Sequence, residues 1–170
     1  MSATARKLQA TVAGDSDASP EVCRVAEEVG ALLAQLGIAV ITGGRGGAME
    51  AACRGARRAG GIAVGIIPGD SAAEANEWCD VVIPTGLGHA RNVVNVLAGD
   101  FLVSLGASAG ALSEICFAWI QGKTVLTLGG VGGWAERLAS TPLDTRGGSR
   151  IVICDDLDQL RREIEAMRGE

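Results

Sequence analysis

Short apolar stretches alternate along this chain with longer segments whose apolar residues recur at every third or fourth position. The short stretches predict buried strands, and the longer segments predict amphipathic helices. Strands are expected at residues 8–13, 38–41, 62–67, 81–83, 101–105, 124–128 and 151–154. Helices are expected at 20–36, 48–59, 89–97 and 111–121, with a short one at 71–76, an irregular loop over 138–149 and a terminal helix capped by Asp155 or Asp156.

Local signals mark both ends of the first helix. Ser19 has the hydroxyl of an N-cap residue, Pro20 follows at the first helical position, and Gly37 is placed as the terminating glycine. Strands that alternate with helices predict a doubly wound, Rossmann-like α/β fold, with one parallel sheet and helices on both faces. The length of 170 residues fits a single domain over residues 1–170. Ligands of such sheets bind beyond the carboxyl ends of the strands, where the strand order reverses.

The composition narrows the class of protein. Hydrophobic residues make up 48% of the chain but aromatic residues only 3%, so the core must consist of small and aliphatic side chains. The net charge of −5 disfavours nucleic acid as a partner, because phosphate neutralisation needs clustered Lys and Arg. Arg54, Arg57 and Arg58 form either a solvated helix face or an electrostatic collar around an anionic ligand.

The five cysteines are far apart and contain no C-x-x-C pair. This spacing disfavours a disulfide framework and a zinc site, and it indicates small buried side chains in a reducing compartment. We expect no metal site. No apolar run is long enough to span a bilayer, and residues 1–7 lack the apolar segment of a signal peptide. The sequence therefore predicts a cytoplasmic protein with no membrane partner.

A first glycine-rich turn, Gly43-Gly44-Arg45-Gly46-Gly47, follows the second predicted strand. Glycine lets backbone N–H groups approach a ligand, and the next helix directs its partial positive charge at the turn. The turn is not a Walker A loop, and it lacks the last glycine of G-x-G-x-x-G. It is either an ordinary tight turn or an anion site in which Gly43, Gly44, Gly46 and Gly47 contact the ligand.

A second turn of small residues joins the fifth predicted strand to a helix. Its backbone could wrap an anion, and Ser108 or Ser113 could add a hydroxyl donor. Glu114 is expected in the first turn of the helix, where an ordinary capping role is the alternative. The ligand-binding residues predicted here are Gly106, Ser108, Ala109, Gly110, Ala111 and Glu114.

A third turn places Arg91 in the first turn of a helix, where a cation opposes the helix dipole. This position suggests a bound anion or a carboxylate partner. Gly88 and Asn92 are predicted as ligand-binding neighbours of Arg91. His89, the one histidine of the chain, is either a cap or loop residue or a catalytic group.

Together these turns resemble the Lonely Guy (LOG) phosphoribohydrolase superfamily, long labelled lysine decarboxylase-like, and within it the molybdenum cofactor carrier proteins. Residues 41–61 are similar to the first glycine-rich motif of the family and its helix. Residues 85–92, followed by 98–100, resemble the carrier-type arginine segment. Residues 105–123 resemble the second motif, so the likeness extends over most of the chain.

The second motif departs from the pattern P-G-G-x-G-T-x-x-E of the enzymes. Gly106 stands in place of the proline, Ala107 and Ser108 in place of the glycine pair, and Ala111 in place of the threonine. The final glycine and glutamate of the pattern are retained as Gly110 and Glu114. Loss of the threonine hydroxyl and of the glycine pair is expected to weaken the hold on phosphate more than it alters the fold.

The resemblance implies two functions. The first is a binding protein of the molybdenum cofactor carrier type, which requires no resident cofactor and holds a phosphorylated, nucleotide-like ligand, either the molybdenum cofactor or a nucleoside monophosphate. The alternative is a phosphoribohydrolase that cleaves the N-glycosidic bond of a nucleoside 5′-monophosphate, with Arg91 and Glu114 as its catalytic pair. A DNA-processing-related binding module is a third reading, which the acidic charge disfavours.

The family resemblance also implies a homo-oligomer, either a dimer or a tetramer. The chain supports this expectation in the helix at 111–121, where Ile115, Phe117, Trp119 and Ile120 lie on more than one face. A helix that is apolar on several faces must be buried on several sides.

Overall fold

The computed structural model describes residues 6–145 and 148–168, and the statements that follow concern these residues. Seven strands form one parallel sheet: β1 (Gln9–Ala13), β2 (Ala39–Thr42), β3 (Ala63–Ile67), β4 (Val81–Pro84), β5 (Phe101–Ser104), β6 (Val125–Leu128) and β7 (Ile151–Cys154). The helices are α1 (Pro20–Gln35), α2 (Ala48–Arg58), α3 (Arg91–Ala98), α4 (Ala109–Ile120), α5 (Trp134–Leu138) and α6 (Leu157–Ala166). Two 3-10 turns lie at Ala72–Glu74 and Gly88–Ala90.

The strand order is β4-β3-β2-β1-β5-β6-β7, so the order reverses between β1 and β5. The chain lays β2, β3 and β4 outward from β1 and then returns to place β5 on the other side of β1. Ala10 pairs with Phe101 and Val12 with Val103 in parallel register. The turns that leave β1 and β5 diverge to opposite faces of the sheet, and this divergence opens a crevice at the carboxyl ends of the two strands.

Apolar layers cover both faces of the sheet. On one face, α1, α2 and α6 pack through fully buried side chains such as Leu33 and Leu160. On the other face, α3, α4 and α5 pack through a smaller cluster that includes Val96 and Ile115. The doubly wound α/β fold predicted from the sequence is confirmed, with helices on both faces.

Helices α1 and α2 are in close contact because each has a glycine at the contact. A Cβ at Gly30 would overlap the backbone carbonyl of Ala52, and a Cβ at Gly55 would overlap the carbonyl of Glu27. Glu27 also accepts hydrogen bonds from Arg54 at 2.8 and 3.0 Å. The two helices therefore approach closely enough that their backbones touch, and an ion pair joins their outer edges.

The ends of the first helix agree with the sequence prediction. Ser19 Oγ accepts a hydrogen bond from the N–H of Val22 at 3.3 Å, and Pro20 is the first helical residue. Gly37 has a φ of 72°, a left-handed conformation that glycine adopts without steric cost. At the terminal helix, Asp156 is the residue that caps, through a 2.7 Å hydrogen bond from the N–H of Gln159.

Two helix predictions were wrong. Helix α4 begins at Ala109, two residues before the predicted start, because Ser108 caps it through a 3.3 Å hydrogen bond from the N–H of Ala111. Helix α5 was not predicted at all, and it ends where the irregular loop was expected to begin. Its five residues are too few to display a helical apolar stripe.

Residues 1–5, 146, 147, 169 and 170 lie outside the described part of the chain. They include most of the segment assessed for a signal peptide, part of the predicted loop at 138–149 and both ends of the predicted domain. In the ranges that are described, none of the helices combines the length and the apolar character needed to cross a membrane.

Candidate functional site

A pocket opens in the crevice at the carboxyl ends of β1 and β5. Its volume is about 750 Å³, which lies within the range of about 300–1,000 Å³ typical of small-molecule sites. Its walls come from the turns after β1, β2, β3 and β5 and from the starts of α3 and α4. The predicted site residues that line it are Gly88, Arg91, Asn92, Ser108, Ala109, Gly110, Ala111 and Glu114.

Arg91 is the first residue of α3 and is only 9% exposed. Its Nε has no hydrogen-bond partner among the described residues. Burial lowers the pKa of Arg91; the negative charge of Glu114 opposes that effect, and the positive charge of Arg45 adds to it. A largely buried cation that lines a pocket favours an anionic ligand.

Glu114 faces the same pocket from the second turn of α4 and is 6% exposed. Its predicted place in the first turn was wrong because α4 starts early, and it does not cap the helix. Its Oε1 accepts a 3.0 Å hydrogen bond from Nδ2 of Asn95. Burial raises the pKa of Glu114 to about 7, although Asn95 and Arg91 act in the opposite direction. The carboxyl group therefore changes its charge close to neutral pH.

Asp15, in the turn after β1, bonds to the turn after β5. Its carboxylate accepts hydrogen bonds from the N–H groups of Ala107 and Ser108 at 2.8 and 3.1 Å. Gly106 does not line the pocket, but it permits this contact, since a Cβ there would lie 2.7 Å from Oδ1 of Asp15. The second turn was predicted to bind an anion through its backbone, but two of its N–H groups already donate to the Asp15 carboxylate.

The start of α4 keeps other donors available. The Ser108 hydroxyl caps the N–H of Ala111, while the N–H groups of Ala109 and Gly110 have no intrahelical acceptor because of their position. Asn92 holds this end of the helix, donating to Ser113 Oγ at 2.8 Å. The helix terminus therefore presents donors and a partial positive charge to the pocket.

The glycines of the first turn shape the backbone next to the pocket but do not line it. Gly43, Gly44, Gly46 and Gly47 are not part of the lining; Arg45 and Met49 are. Gly44 and Gly47 have φ values of 67° and 64°, which glycine adopts most easily. Gly43 leaves space for the guanidinium group of Arg91. These glycines thus shape the turn that supplies Arg45, and their predicted contact with the ligand stays a prediction.

Several residues of the pocket were not among the predicted site residues, namely Gly14, Asp15, Ser16, Asp17, Arg45, Met49 and Pro68. Asp15, Ser16 and Asp17 follow β1, and the strand order that places β1 beside β5 was not read from the sequence. Arg45 stands within the predicted glycine turn and could have been found as its one charged residue. His89, left open between two roles, lies in the lining and is exposed.

Arg54, Arg57 and Arg58 belong to ion pairs away from this pocket. Arg54 and Arg58 lie 2.8 and 2.7 Å from Glu27, and Arg57 lies 3.2 Å from Asp80. None of the three arginines contributes to the lining. These three arginines therefore do not form the electrostatic collar around an anionic ligand that the sequence left open as an alternative. Within the described residues, no group of three or more His, Cys, Asp or Glu side chains could hold a metal ion.

Solved structures share this architecture. The molybdenum cofactor binding protein of Rippkaea orientalis superimposes with a TM-score of 0.87 at 30% identity, over 97% of this chain and 99% of that one. The molybdenum cofactor carrier protein of Chlamydomonas reinhardtii gives a TM-score of 0.83 at 31% identity, over 97% and 100%. DNA processing protein A of Helicobacter pylori, at 13% identity and a TM-score of 0.71, covering 94% of this chain and 81% of that one, shares the fold alone.

The chain also has relatives by sequence. A protein of Archaeoglobus fulgidus is 41% identical over 121 residues, which are 71% of this chain and 80% of that protein. The cytokinin riboside 5′-monophosphate phosphoribohydrolase of Mycobacterium marinum is 28% identical over 155 residues, 82% of this chain and 83% of that enzyme. The model of the SLOG cluster4 family matches residues 7–161. With a match over nearly its whole length, the chain belongs to the SLOG cluster4 family.

Proposed function

We propose that this protein binds a phosphorylated, nucleotide-like small molecule and that the molybdenum cofactor is that ligand. The observation that carries the proposal is Arg91, a largely buried guanidinium group that lines a pocket of about 750 Å³ and lies in the field of Glu114 and Arg45. Proteins named for binding or carrying the molybdenum cofactor share the fold at 30–31% identity over nearly the whole chain, which supports this choice of ligand.

The residues of the pocket fit a ligand with one anionic end and one polar ring system. Arg91, Arg45 and the free N–H groups at the start of α4 are suited to a phosphate group. Ser108, Asn92 and His89 add polar side chains around the opening. The acidic groups Asp15 and Glu114 can accept hydrogen bonds from the N–H groups of a pterin or a base.

The test compares loading of the purified protein with molybdenum cofactor released from a molybdoenzyme. After gel filtration, molybdenum and oxidised pterin are measured in the protein fraction. Wild-type protein should retain both in equal amounts, and Arg91→Ala should retain neither while keeping the wild-type circular dichroism spectrum. Arg162→Ala, at an exposed position of α6 outside the pocket, is the matched control. Equal loading of Arg91→Ala and wild type would refute the site.

Hydrolysis of a nucleoside 5′-monophosphate is the second candidate, and one observation favours it. Glu114 has a pKa of about 7 and lies in the pocket with Arg91, so a carboxyl group that ionises near neutrality stands beside a cation. Such a carboxylate can stabilise an oxocarbenium-like transition state or position water, while Arg91 orients the phosphate or the leaving base. Asp15 occupies two of the main-chain donors of the second turn, so the phosphate of either candidate ligand must use the remaining donors at the start of α4.

A panel of nucleoside 5′-monophosphates separates the two candidates. The binding protein should release no ribose 5-phosphate from any of them, yet ligand should raise its melting temperature. The hydrolase should release ribose 5-phosphate, and Glu114→Gln should stop turnover with little change in ground-state affinity. If the wild-type protein hydrolyses a monophosphate robustly and Glu114→Gln does not, hydrolysis becomes the preferred function.

The homo-oligomer and the cytoplasmic location are parts of the same proposal. Leu97 on α3 and Ile120 on α4 are 54% and 50% exposed, and both lie on the face that carries these two helices. Burying such side chains in a partner subunit is favourable by roughly 25 cal/mol per Å². Sedimentation at micromolar concentration should give a dimer or tetramer; a stable monomer would contradict it. Fractionation of the native cells tests the location.

A further inference from the structure

Two cysteine side chains meet near the first glycine turn, outside the lining of the pocket. Cys53 lies in α2 and is fully buried, and Cys79 lies just before β4 and is half-buried. Their Sγ atoms are 3.9 Å apart. Gly65 makes room for this arrangement, since a Cβ there would lie 2.6 Å from Sγ of Cys79. Two thiols are thus held in contact although 26 residues separate them in the chain.

Polar neighbours surround the pair. Thr42 Oγ1 lies 3.3 Å from Sγ of Cys53, and the thiol of Cys79 donates to Asn76 Oδ1 at 3.6 Å. Hydrogen bonding with Cys79 lowers the pKa of the Cys53 thiol, and the same pairing raises the pKa of Cys79. One sulfur of the pair therefore takes on thiolate character at the expense of the other.

We propose that Cys53 and Cys79 form an intramolecular disulfide when the protein meets a peroxide, and that this bond is a redox modification site linked to the pocket. A disulfide has an S–S length of about 2.05 Å, so the sulfur atoms must approach by about 1.9 Å. Cys79 can make this movement because the segment from Ser71 to Asp80 has no regular structure other than one 3-10 turn.

The chemistry balances with hydrogen peroxide as the oxidant. Peroxide is little larger than water and must reach Cys53 past the half-buried Cys79. Cys53, the sulfur with thiolate character, takes one oxygen from the peroxide, becomes a sulfenic acid and releases one water. The sulfur of Cys79 then attacks the sulfenic sulfur, and the hydroxyl group leaves as a second water with the remaining thiol proton. Two thiols lose two electrons and two protons, and the peroxide is reduced to two waters.

The link to the pocket runs through hydrogen bonds. Asn76 donates from its N–H to the carbonyl of Gly44 at 2.8 Å and from Nδ2 to the carbonyl of Arg45 at 3.0 Å. On the other side, Thr42 Oγ1 accepts from the N–H of Gly44 at 3.0 Å. Formation of the disulfide removes the S–H group that donates to Asn76 Oδ1 and changes the contact between Cys53 and Thr42, so the turn that supplies Arg45 must adjust.

The first experiment concerns the bond alone and needs no ligand. A Cys23→Ser/Cys116→Ser background leaves three of the five cysteines, namely Cys53, Cys79 and Cys154. After peroxide treatment, titratable thiols should fall from three to one, and the intact mass should fall by two hydrogen atoms. Digestion should yield one peptide pair joined through Cys53 and Cys79, and dithiothreitol should restore both thiols.

Adding Cys79→Ser to this background gives the matched control. Cys53 then has no resolving thiol, so after peroxide treatment the intact mass should rise by one oxygen atom, and dithiothreitol should reverse the gain, whereas the parent should lose two hydrogen atoms. A cross-link through Cys154, disulfides between chains, or three free thiols after treatment would each overturn the proposal. Because Cys154 is also buried, with a pKa raised to about 11, it reports whether peroxide attacks buried thiols in general.

The second experiment tests the link and rests on the proposed function. Adenosine 5′-monophosphate is titrated into the reduced and the oxidised background protein. We expect roughly three- to tenfold weaker binding after oxidation, the effect of losing one or two hydrogen bonds that hold Arg45. Equal affinities would refute the link while leaving the disulfide intact. If the reduced protein bound neither this nucleotide nor the molybdenum cofactor, the proposed function would fail whatever the first experiment gave.

Discussion

The guanidinium group of Arg91 packs directly against the backbone of Gly43. A Cβ at position 43 would lie 2.6 Å from Nη2 and 2.7 Å from Cζ of Arg91. Gly43 is absent from the glycines with positive φ, so its backbone could accommodate any residue and the contact alone requires glycine. The first glycine turn thus serves the site by letting a charged side chain of another element fill the space behind it.

Gly43→Ala should abolish ligand binding while leaving the fold intact. The added methyl group overlaps the far end of a flexible side chain, so Arg91 can swing away at a cost of about 1–2 kcal/mol in stability. The displaced guanidinium group then no longer faces the ligand. Titration calorimetry with adenosine 5′-monophosphate and urea unfolding together measure the two effects.

Gly46→Ala is the matched control in the same turn. Its Cβ would meet nothing closer than the carbonyl oxygen of Ser16 at 3.5 Å, which is ordinary van der Waals contact. Binding should therefore stay within about twofold of wild type. If both alanine variants bound equally well, the contact between Gly43 and Arg91 would have no part in recognition.

Asp15→Asn should strengthen the binding of simple anions. The asparagine keeps one oxygen that can accept from the N–H of Ala107 or Ser108, but the negative charge at the second turn is gone. Removal of a like charge near a bound anion is favourable, so inorganic phosphate should bind more tightly in Asp15→Asn than in wild type.

Salt dependence separates this effect from a change in structure, since screening reduces only the electrostatic part. The advantage of Asp15→Asn should shrink between low and high ionic strength. Weaker phosphate binding in the variant would mean that the structural role of the carboxylate in the turn outweighs its repulsion of the anion.

Most of the fold could be predicted from the sequence because local signals and sheet burial agree. Short, mainly apolar strands such as Ala39–Thr42, and caps such as Ser19, identify elements without reference to their neighbours. Helix α5 was missed because a five-residue helix at Trp134–Leu138 owes its formation to packing against β6 and β7. Such tertiary contacts do not produce a periodic pattern of apolar residues in the sequence.

The site was predicted in part for a similar reason. Arg91 and Glu114 stand at recognisable positions in strand-to-helix turns, and the structure brings both to one pocket. Asp15 was missed because its role depends on β1 lying beside β5, a pairing of residues about 90 positions apart in the chain. The chain order of the elements does not fix the order of strands in the sheet.

Gly55→Ala should destabilise the protein although alanine favours helices. Alanine in place of glycine inside a helix is normally worth about 1 kcal/mol. Here the methyl group would overlap the backbone carbonyl of Glu27, which cannot swing away as a side chain can. Forcing α1 and α2 apart should cost about 1–3 kcal/mol, measured by urea unfolding.

Gly110→Ala tests the same substitution in a helix with open space. The nearest atom to its Cβ would be Oγ of Ser108 at 3.5 Å, so the variant should be as stable as wild type or slightly more stable. Equal stability of Gly55→Ala and Gly110→Ala would show that the interface between α1 and α2 yields more easily than its close contact indicates.

Glu114→Gln should stabilise the protein at high pH and have little effect at low pH. The pKa of Glu114 is raised from 4.5 to about 7 in the folded protein, mainly by burial. Below about 4.5 the carboxyl is protonated in both folded and unfolded states and costs nothing. Between about 4.5 and 7 the unfolded chain loses the proton first, so wild-type stability falls as pH rises; above 7 the full cost of about 3 kcal/mol applies.

Glutamine resembles the protonated carboxyl, and its Oε1 can still accept from Nδ2 of Asn95. The raised pKa already includes the attraction of Arg91, so loss of that ion pair does not cancel the gain. Urea unfolding from pH 5 to 8.5 should therefore show a stability difference between variant and wild type that grows with pH and levels off above 7. Glu165→Gln, on an exposed position of α6, is the control. A difference that stays constant across this range would mean that Glu114 remains ionised in its buried position and that the carboxylate is held there by Arg91.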